Sequence, residues 1–169
     1  MIIMTCTWVC YLIYTIDGNQ TYVGSSNNFL KRLNNHNTGR GAKRTKGQMW
    51  IPCVVVTGFH HKNACLSFES NWKRLTHRRS NVRLELINIM TKMNLKYTTV
   101  SRWNRVLDLL YFLHNVTLLD TKYKLNHSVD HIVNEPEGLK IVMFAEDFMV
   151  DFPWPHFVTI KNHKLSEII

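Results

Sequence analysis

Residues 8–24 read WVCYLIYTIDGNQTYVG, an apolar run, a turn and a second short run ending in Tyr22-Val23-Gly24. Asp17-Gly18-Asn19 supplies residues that tolerate positive φ, so residues 8–15 and 20–24 are expected to pair as a β-hairpin. Downstream, Asn27 or Asn28 can cap a short helix reaching about His36. Residues 37–48 hold three glycines and four basic residues and read as a mobile, exposed loop. Trp50 to Phe59 (WIPCVVVTGF) is apolar and β-branched at its centre, the pattern of a buried strand. Asn63 is the expected cap of a longer helix in which Cys65, Phe68, Trp72 and Leu75 step by three and four, with Glu69 at the edge of that stripe. The order β-β-α-β-α gives an α/β (α+β) chain with a small, mainly antiparallel sheet flanked by helices.

Charge is divided unevenly along the chain. Residues 1–84 carry twelve Lys or Arg against only Asp17 and Glu69, while residues 85–169 carry nine against ten acids. The excess belongs to the first half, and a phosphate backbone is the partner such a surface suits, because Lys and Arg displace its condensed counterions. Glu69 is the single carboxylate between Asp17 and Glu85. A lone hard oxygen ligand in a basic surround suggests a metal site facing a polyanion. Read structurally, Glu69 has Lys73 at i+4 as a partner, worth only ~0.3–0.5 kcal/mol.

The second half reads differently. Helical periodicity recurs over 83–94 and 99–114, the latter with Trp103, Val106, Leu107, Leu110 and Phe112. Only short apolar runs follow, at 139–144 and 156–160, and Pro153 and Pro155 interrupt regular structure. The expected division is therefore a domain over 1–84 and a mainly helical C-terminal extension over 85–169, packed upon it. At 169 residues and 45% hydrophobic content the chain is large enough for a core. No apolar run approaches the ~20 residues of a membrane span, and the opening MIIMTCTWVCYLIY has no basic leader, so a soluble intracellular protein is expected. Cys6, Cys10, Cys53 and Cys65 lack zinc-ribbon spacing and disulfide density, which fits a reducing compartment.

Tyr11 on the first strand, Tyr22-Val23-Gly24 on the second, Arg32 and His36 one turn apart on the first helix, and Glu69 on the second helix stand in a distinctive order. That order resembles the GIY-YIG nucleases. The wording NFLKRLNNHNTGRGAKRTKG, MWIPCVVVTGF and LSFESNWKR is similar to the SLX-type structure-selective endonucleases, closely over residues 8–80. Val9-Cys10-Tyr11 stands where the family has Gly-Ile-Tyr, so the tyrosine is kept and the glycine lost. The SLX-type subunits also carry a C-terminal RING-like zinc module that docks a scaffold protein. No cysteine follows Cys65 here, so neither zinc nor that scaffold partner is expected, and a stand-alone or homodimeric enzyme is.

The resemblance implies a DNA endonuclease that cuts branched DNA such as Holliday junctions, flaps and forks, the alternatives being a GIY-YIG nuclease of relaxed specificity or a catalytically inactive DNA-binding protein of the same fold. It also implies one Mg²⁺ or Mn²⁺ on Glu69, and Arg32 against the non-bridging phosphate oxygens. Tyr22 would orient water or phosphate. Either Tyr11, its pKa lowered by a neighbouring metal or cation, or His36 would take the proton of the attacking water, His36 otherwise contacting the DNA backbone. Arg40, Lys43, Arg44 and Lys46 in the loop, with Trp50 beyond them, and Lys73 and Arg74 on the second helix are the expected DNA contacts, extended by Arg78 and Arg79. These would contact phosphate and fix affinity more than sequence choice. Nucleus, cytoplasm or the replication site of a large DNA virus are the expected settings. His127 and His131, with Asp130 between them, have helical ligand spacing but no further evident ligand.

Overall fold

The computed structural model describes residues 8–59, 61–77, 88, 91, 101–114, 139–144, 154–155 and 158–164. Five strands form one sheet in the order β2-β1-β3-β4-β5. They are β1 (Val9–Thr15), β2 (Thr21–Ser26), β3 (Trp50–Thr57), β4 (Leu139–Met143) and β5 (Val158–Asn162). All neighbours are antiparallel except β4 and β5. The helices are α1 (Phe29–Asn37), α2 (Lys62–His77) and α3 (Ser101–His114).

The expected hairpin forms, and its turn is tied by Asp17. The Asp17 carboxylate accepts from the Asn19 backbone N–H at 3.1 Å and from the Thr15 hydroxyl, while Gly18 takes φ +74°. β2 runs two residues past Gly24, to Ser26, which makes Ser25 a strand residue. α1 is capped by Asn28, whose Oδ1 accepts from Lys31 N at 3.0 Å. The cap of α2 differs from expectation. Asn63 lies inside its first turn, and the His61 ring Nδ1 accepts from Ala64 N at 3.2 Å in the capping position.

Alternation along β1 sorts the core into two layers. Cys10, Leu12 and Tyr14 face α2 and α3 and bury against Phe68, Trp72, Leu109 and Phe112. Val9, Tyr11 and Ile13 face the other way, with Phe29, Trp50, Val142 and Phe144. Val9, standing for the family's glycine, is simply buried strand. The Trp72 indole N–H donates to the Arg105 carbonyl at 2.9 Å and joins α2 to α3. α3 is less one-sided than its sequence suggests: every residue from Asn104 to Leu110 is buried, Arg105 and Asp108 included.

Part of the second half joins the sheet of the first. Its described residues include α3 and two strands, and those strands belong to the first half's sheet. Val54–Thr57 of β3 pair with Lys140–Met143 of β4. Cys53 is skipped in the β1–β3 register, a bulge that places Pro52 beside Ile13 and outside the segment of β3 paired with β4. A proline without an N–H is tolerated in a central strand at such a point. The helix expected over 83–94 lies outside the described residues except for Asn88 and Thr91, and His127, Asp130, His131, Arg78 and Arg79 lie outside them altogether. No helix among the described residues is long and apolar enough to cross a membrane.

Candidate active site

β2 is an edge strand built from small residues where it matters, and groups from both faces of the sheet gather there. Register sets Tyr11 directly opposite Gly24. The phenol ring lies over that glycine so closely that a Cβ there would stand 2.5 Å from the Tyr11 hydroxyl oxygen and 2.8 Å from Tyr22 Cε1. Glycine in the Tyr-Val-Gly triplet is thus required by contact with Tyr11, not by a turn.

On the α1 face, the i, i+4 spacing of Arg32 and His36 brings both to one oxygen. Tyr11 Oη is 2.9 Å from His36 Nε2, and Arg32 Nε donates to it at 3.4 Å. The far ring nitrogen of His36, Nδ1, is 2.7 Å from Thr45 Oγ1. Tyr22 completes this side, its ring 5.1 Å from that of His36. On the α2 face Glu69 accepts from Ser25 Oγ at 2.5 Å and pairs with the Lys73 ammonium. Lys73 Nζ also lies 5.3 Å from the Tyr22 ring centre, which links the two faces around the strand edge.

Burial pushes the Tyr11 phenol well up, and the Arg32 hydrogen bond and charge only partly oppose this. Arg32 alone does not bring about the expected lowering: desolvation of a wholly buried ring outweighs one guanidinium. Burial, then the Arg32 charge, pulls His36 down from 6.5 to about 4. Contact with the Tyr11 phenol leads the causes that raise Arg32, against a lowering by burial. A histidine kept neutral by the fold binds fewer protons than in the unfolded chain. Its contribution is whole above pH 6.5 and is lost as pH falls through about 4. The stability difference between wild type and His36→Gln, from urea midpoints, is therefore expected to be flat above pH 6.5 and to shrink steadily towards pH 4. A pH-independent difference would contradict the buried neutral ring.

Arg40, Lys43, Arg44 and Lys46 are exposed, as is Arg74, while Lys73 is half-exposed. The loop is nevertheless tied down at Thr45, whose Oγ1 is 2.7 Å from His36 Nδ1. Trp50, expected beside DNA, is buried instead: its indole N–H donates to Thr45 O at 2.9 Å, and its backbone exchanges hydrogen bonds of 2.7 and 3.1 Å with the Asn37 side chain. A loop-end tryptophan looks exposed in sequence because its covering partners, Asn37 and Thr45, lie elsewhere. Sequence reading also missed Ser25 and Thr45, single hydroxyls in polar stretches. Their only sequence signal is adjacency to Gly24 and to the basic cluster.

Residues 7–82 match the GIY-YIG catalytic domain. The chain belongs to the GIY-YIG family. An uncharacterized protein, L300 of Acanthamoeba polyphaga mimivirus, is 50% identical over 155 residues, covering 89% of this chain and 93% of that protein. The structure-specific endonuclease subunit SLX1 of Malassezia globosa is 39% identical over 71 residues, 40% of this chain but 16% of the fungal protein. The UPF0213 protein YazA of Bacillus subtilis is 31% identical over 67 residues, 40% of this chain and 68% of that protein. The chain is an endonuclease of this type, and the place where β1, β2, α1 and α2 meet is its candidate site. GIY-YIG nucleases depend on a divalent metal, and the donors fit one. Glu69 offers a carboxylate with the Ser25 hydroxyl beside it, and the Lys73 ammonium shows that positive charge is accommodated there. One carboxylate with waters completing the shell is a common Mg²⁺ arrangement. Among the described residues no cluster of three or more His, Cys, Asp or Glu is placed to hold a metal.

Proposed function

We propose that this chain is a Mg²⁺- or Mn²⁺-dependent endonuclease that hydrolyses phosphodiester bonds in branched DNA during repair, recombination or resolution of replication intermediates. The observation that carries the reading is the shared oxygen of Tyr11, bonded to His36 and Arg32 and set around one strand edge from Glu69.

Arg32 turns its guanidinium to the non-bridging oxygens of the scissile phosphate, where charge accumulates. Water attacks phosphorus, and the bond to the leaving sugar oxygen breaks. The water proton passes to Tyr11 Oη as the phenol proton passes to His36 Nε2, so both residues take part and the phenolate need not exist beforehand. His36 is wholly buried, with the Tyr11 oxygen against its Nε2. Phosphate on Arg32 offsets the guanidinium charge, one of the two causes that hold His36 down. Substrate therefore raises the proton affinity of the ring at the moment it is needed. Tyr22 orients the water or phosphate. A divalent ion on Glu69 would supply positive charge against the phosphate and the leaving oxygen.

Arg40, Lys43, Arg44, Lys46, Lys73 and Arg74 hold the phosphate backbone. The chain shows no base-reading motif, and its fungal relatives are named structure-specific, which supports recognition of DNA shape. The viral relative supports action where a large DNA virus replicates, as a single chain or homodimer. The alternative is a GIY-YIG nuclease of relaxed specificity. A cleavage time course on Holliday-junction, 5′-flap, fork and linear DNA, with Mg²⁺ or EDTA, separates them. Metal-dependent nicks near the branch are expected; linear duplex cut as fast as a junction would establish relaxed specificity instead.

A further inference from the structure

We infer that Thr45 is a positioning residue that fixes the tautomer of His36, and that it joins the DNA-binding loop to the proton path. The inference rests on the proposed roles of Tyr11 and His36. It begins with a count of protons in a closed set of hydrogen bonds. Three donors compete: the Tyr11 hydroxyl, the Thr45 hydroxyl and the single ring N–H of neutral His36. The contacts are Tyr11 Oη to Nε2 at 2.9 Å, Nδ1 to Thr45 Oγ1 at 2.7 Å, and Thr45 Oγ1 to the Ala42 carbonyl at 2.8 Å.

If the ring proton sits on Nδ1, it goes to Thr45, the Thr45 proton goes to Ala42 O, and the Tyr11 proton goes to Nε2. Every donor then has an acceptor. If the ring proton sits on Nε2, it and Arg32 both point at the phenol oxygen. The buried Tyr11 proton is then left with no acceptor among the described residues, a cost of about 1–3 kcal/mol. The first arrangement is the stable one. It is also the one in which Nε2 carries a lone pair ready for the Tyr11 proton.

Thr45 owes its place to its own turn. Its N–H donates to Ala42 O at 2.9 Å, and its carbonyl accepts from the Trp50 indole at 2.9 Å. The loop also presses on the histidine from Gly41, where a Cβ would stand 2.5 Å from His36 Nδ1 and 2.8 Å from His36 Cα. Lys43 and Arg44 precede Thr45 in the same short 3-10 turn, and Lys46 follows it. Phosphates gripped by these side chains hold the turn that holds the ring.

The test compares Thr45→Val, which keeps shape and removes the hydroxyl, with Thr45→Ser, which restores it. ¹⁵N-histidine spectra, with His36 assigned against His36→Gln, are expected to show the Nδ1–H tautomer in wild type and Thr45→Ser. In Thr45→Val that signature is lost or mixed. Single-turnover cleavage is expected to fall roughly 10–100-fold in Thr45→Val, the usual scale for an orienting partner. DNA affinity in EDTA should stay within about twofold of wild type, and Thr45→Ser should recover most of the rate. An Nε2–H ring in the wild type, or full cleavage by Thr45→Val, overturns the inference. Because the spectrum needs no substrate, it stands apart from the cleavage reading: a Nδ1–H ring in a protein that cuts no DNA would fault the proposed function alone.

Discussion

Changing Glu69 to glutamine is expected to remove metal-dependent cleavage, lowering the single-turnover rate by roughly 10³-fold or more, while the protein folds and binds DNA as before. The carboxylate lies at the rim of the site, its only described bonds running to Ser25 and Lys73. Glutamine has the same shape and keeps one oxygen for Ser25. It cannot offer a divalent ion the negative charge that a largely hydrated Mg²⁺ requires. The lost pair with Lys73, a side chain 41% exposed, should change stability by no more than ~0.5 kcal/mol. Junction cleavage with Mg²⁺, DNA affinity in EDTA and a thermal melt make the comparison. A variant that still cuts within tenfold of wild type would exclude Glu69 as the ligand; equal loss of binding and cutting would make it structural.

Gly24→Ala should be as damaging through sterics alone. The added methyl would stand 2.5 Å from the Tyr11 oxygen, 2.6 Å from Tyr11 Cζ and 2.8 Å from Tyr22 Cε1. Tyr11 is fully buried between Phe29 and His36 and cannot yield far. Overpacking of this kind costs about 1–3 kcal/mol, and moving a reacting oxygen by about 1 Å costs on the order of 10²-fold in rate. The urea midpoint should fall, and the residual cleavage rate should approach that of Tyr11→Phe. Wild-type rate and stability in Gly24→Ala would show that the two tyrosines do not converge over this glycine.

Local chemistry made much of this legible in the sequence. The Asp17-Gly18-Asn19 turn fixes which strands pair, the Asn28 cap starts α1, and the four-residue step from Arg32 to His36 needs only a helix to aim both at one point. Signals that depend on distant partners were not legible. Leu139–Met143 is a short apolar run until β3 accepts it as a neighbour. Trp50 looks like an exposed aromatic until Asn37 and Thr45 enclose it. The direction of the Tyr11 shift needed its depth of burial, which spacing does not give. Thr45 and Ser25 are hydroxyls among many, and only geometry singles them out.

β4 has a consequence for how the enzyme comes into being. The strand that covers the open side of β3 arrives about ninety residues later in the chain. It brings Val142 and Phe144 into the cluster that holds Tyr11, with Phe144 stacked on Phe29 at 6.5 Å. A nascent chain that has released only the stretch matching the catalytic domain thus presents a raw central strand and an unfinished wall behind Tyr11. Such an intermediate is expected to be sticky at its open strand edge and poorly packed around Tyr11. With Tyr11 in its proposed role, cutting is expected only once the distal strand has docked. Ribosome-bound chains halted before residue 139 should accordingly be protease-sensitive and unable to nick DNA, whereas chains extended past β5 should resist protease and cut.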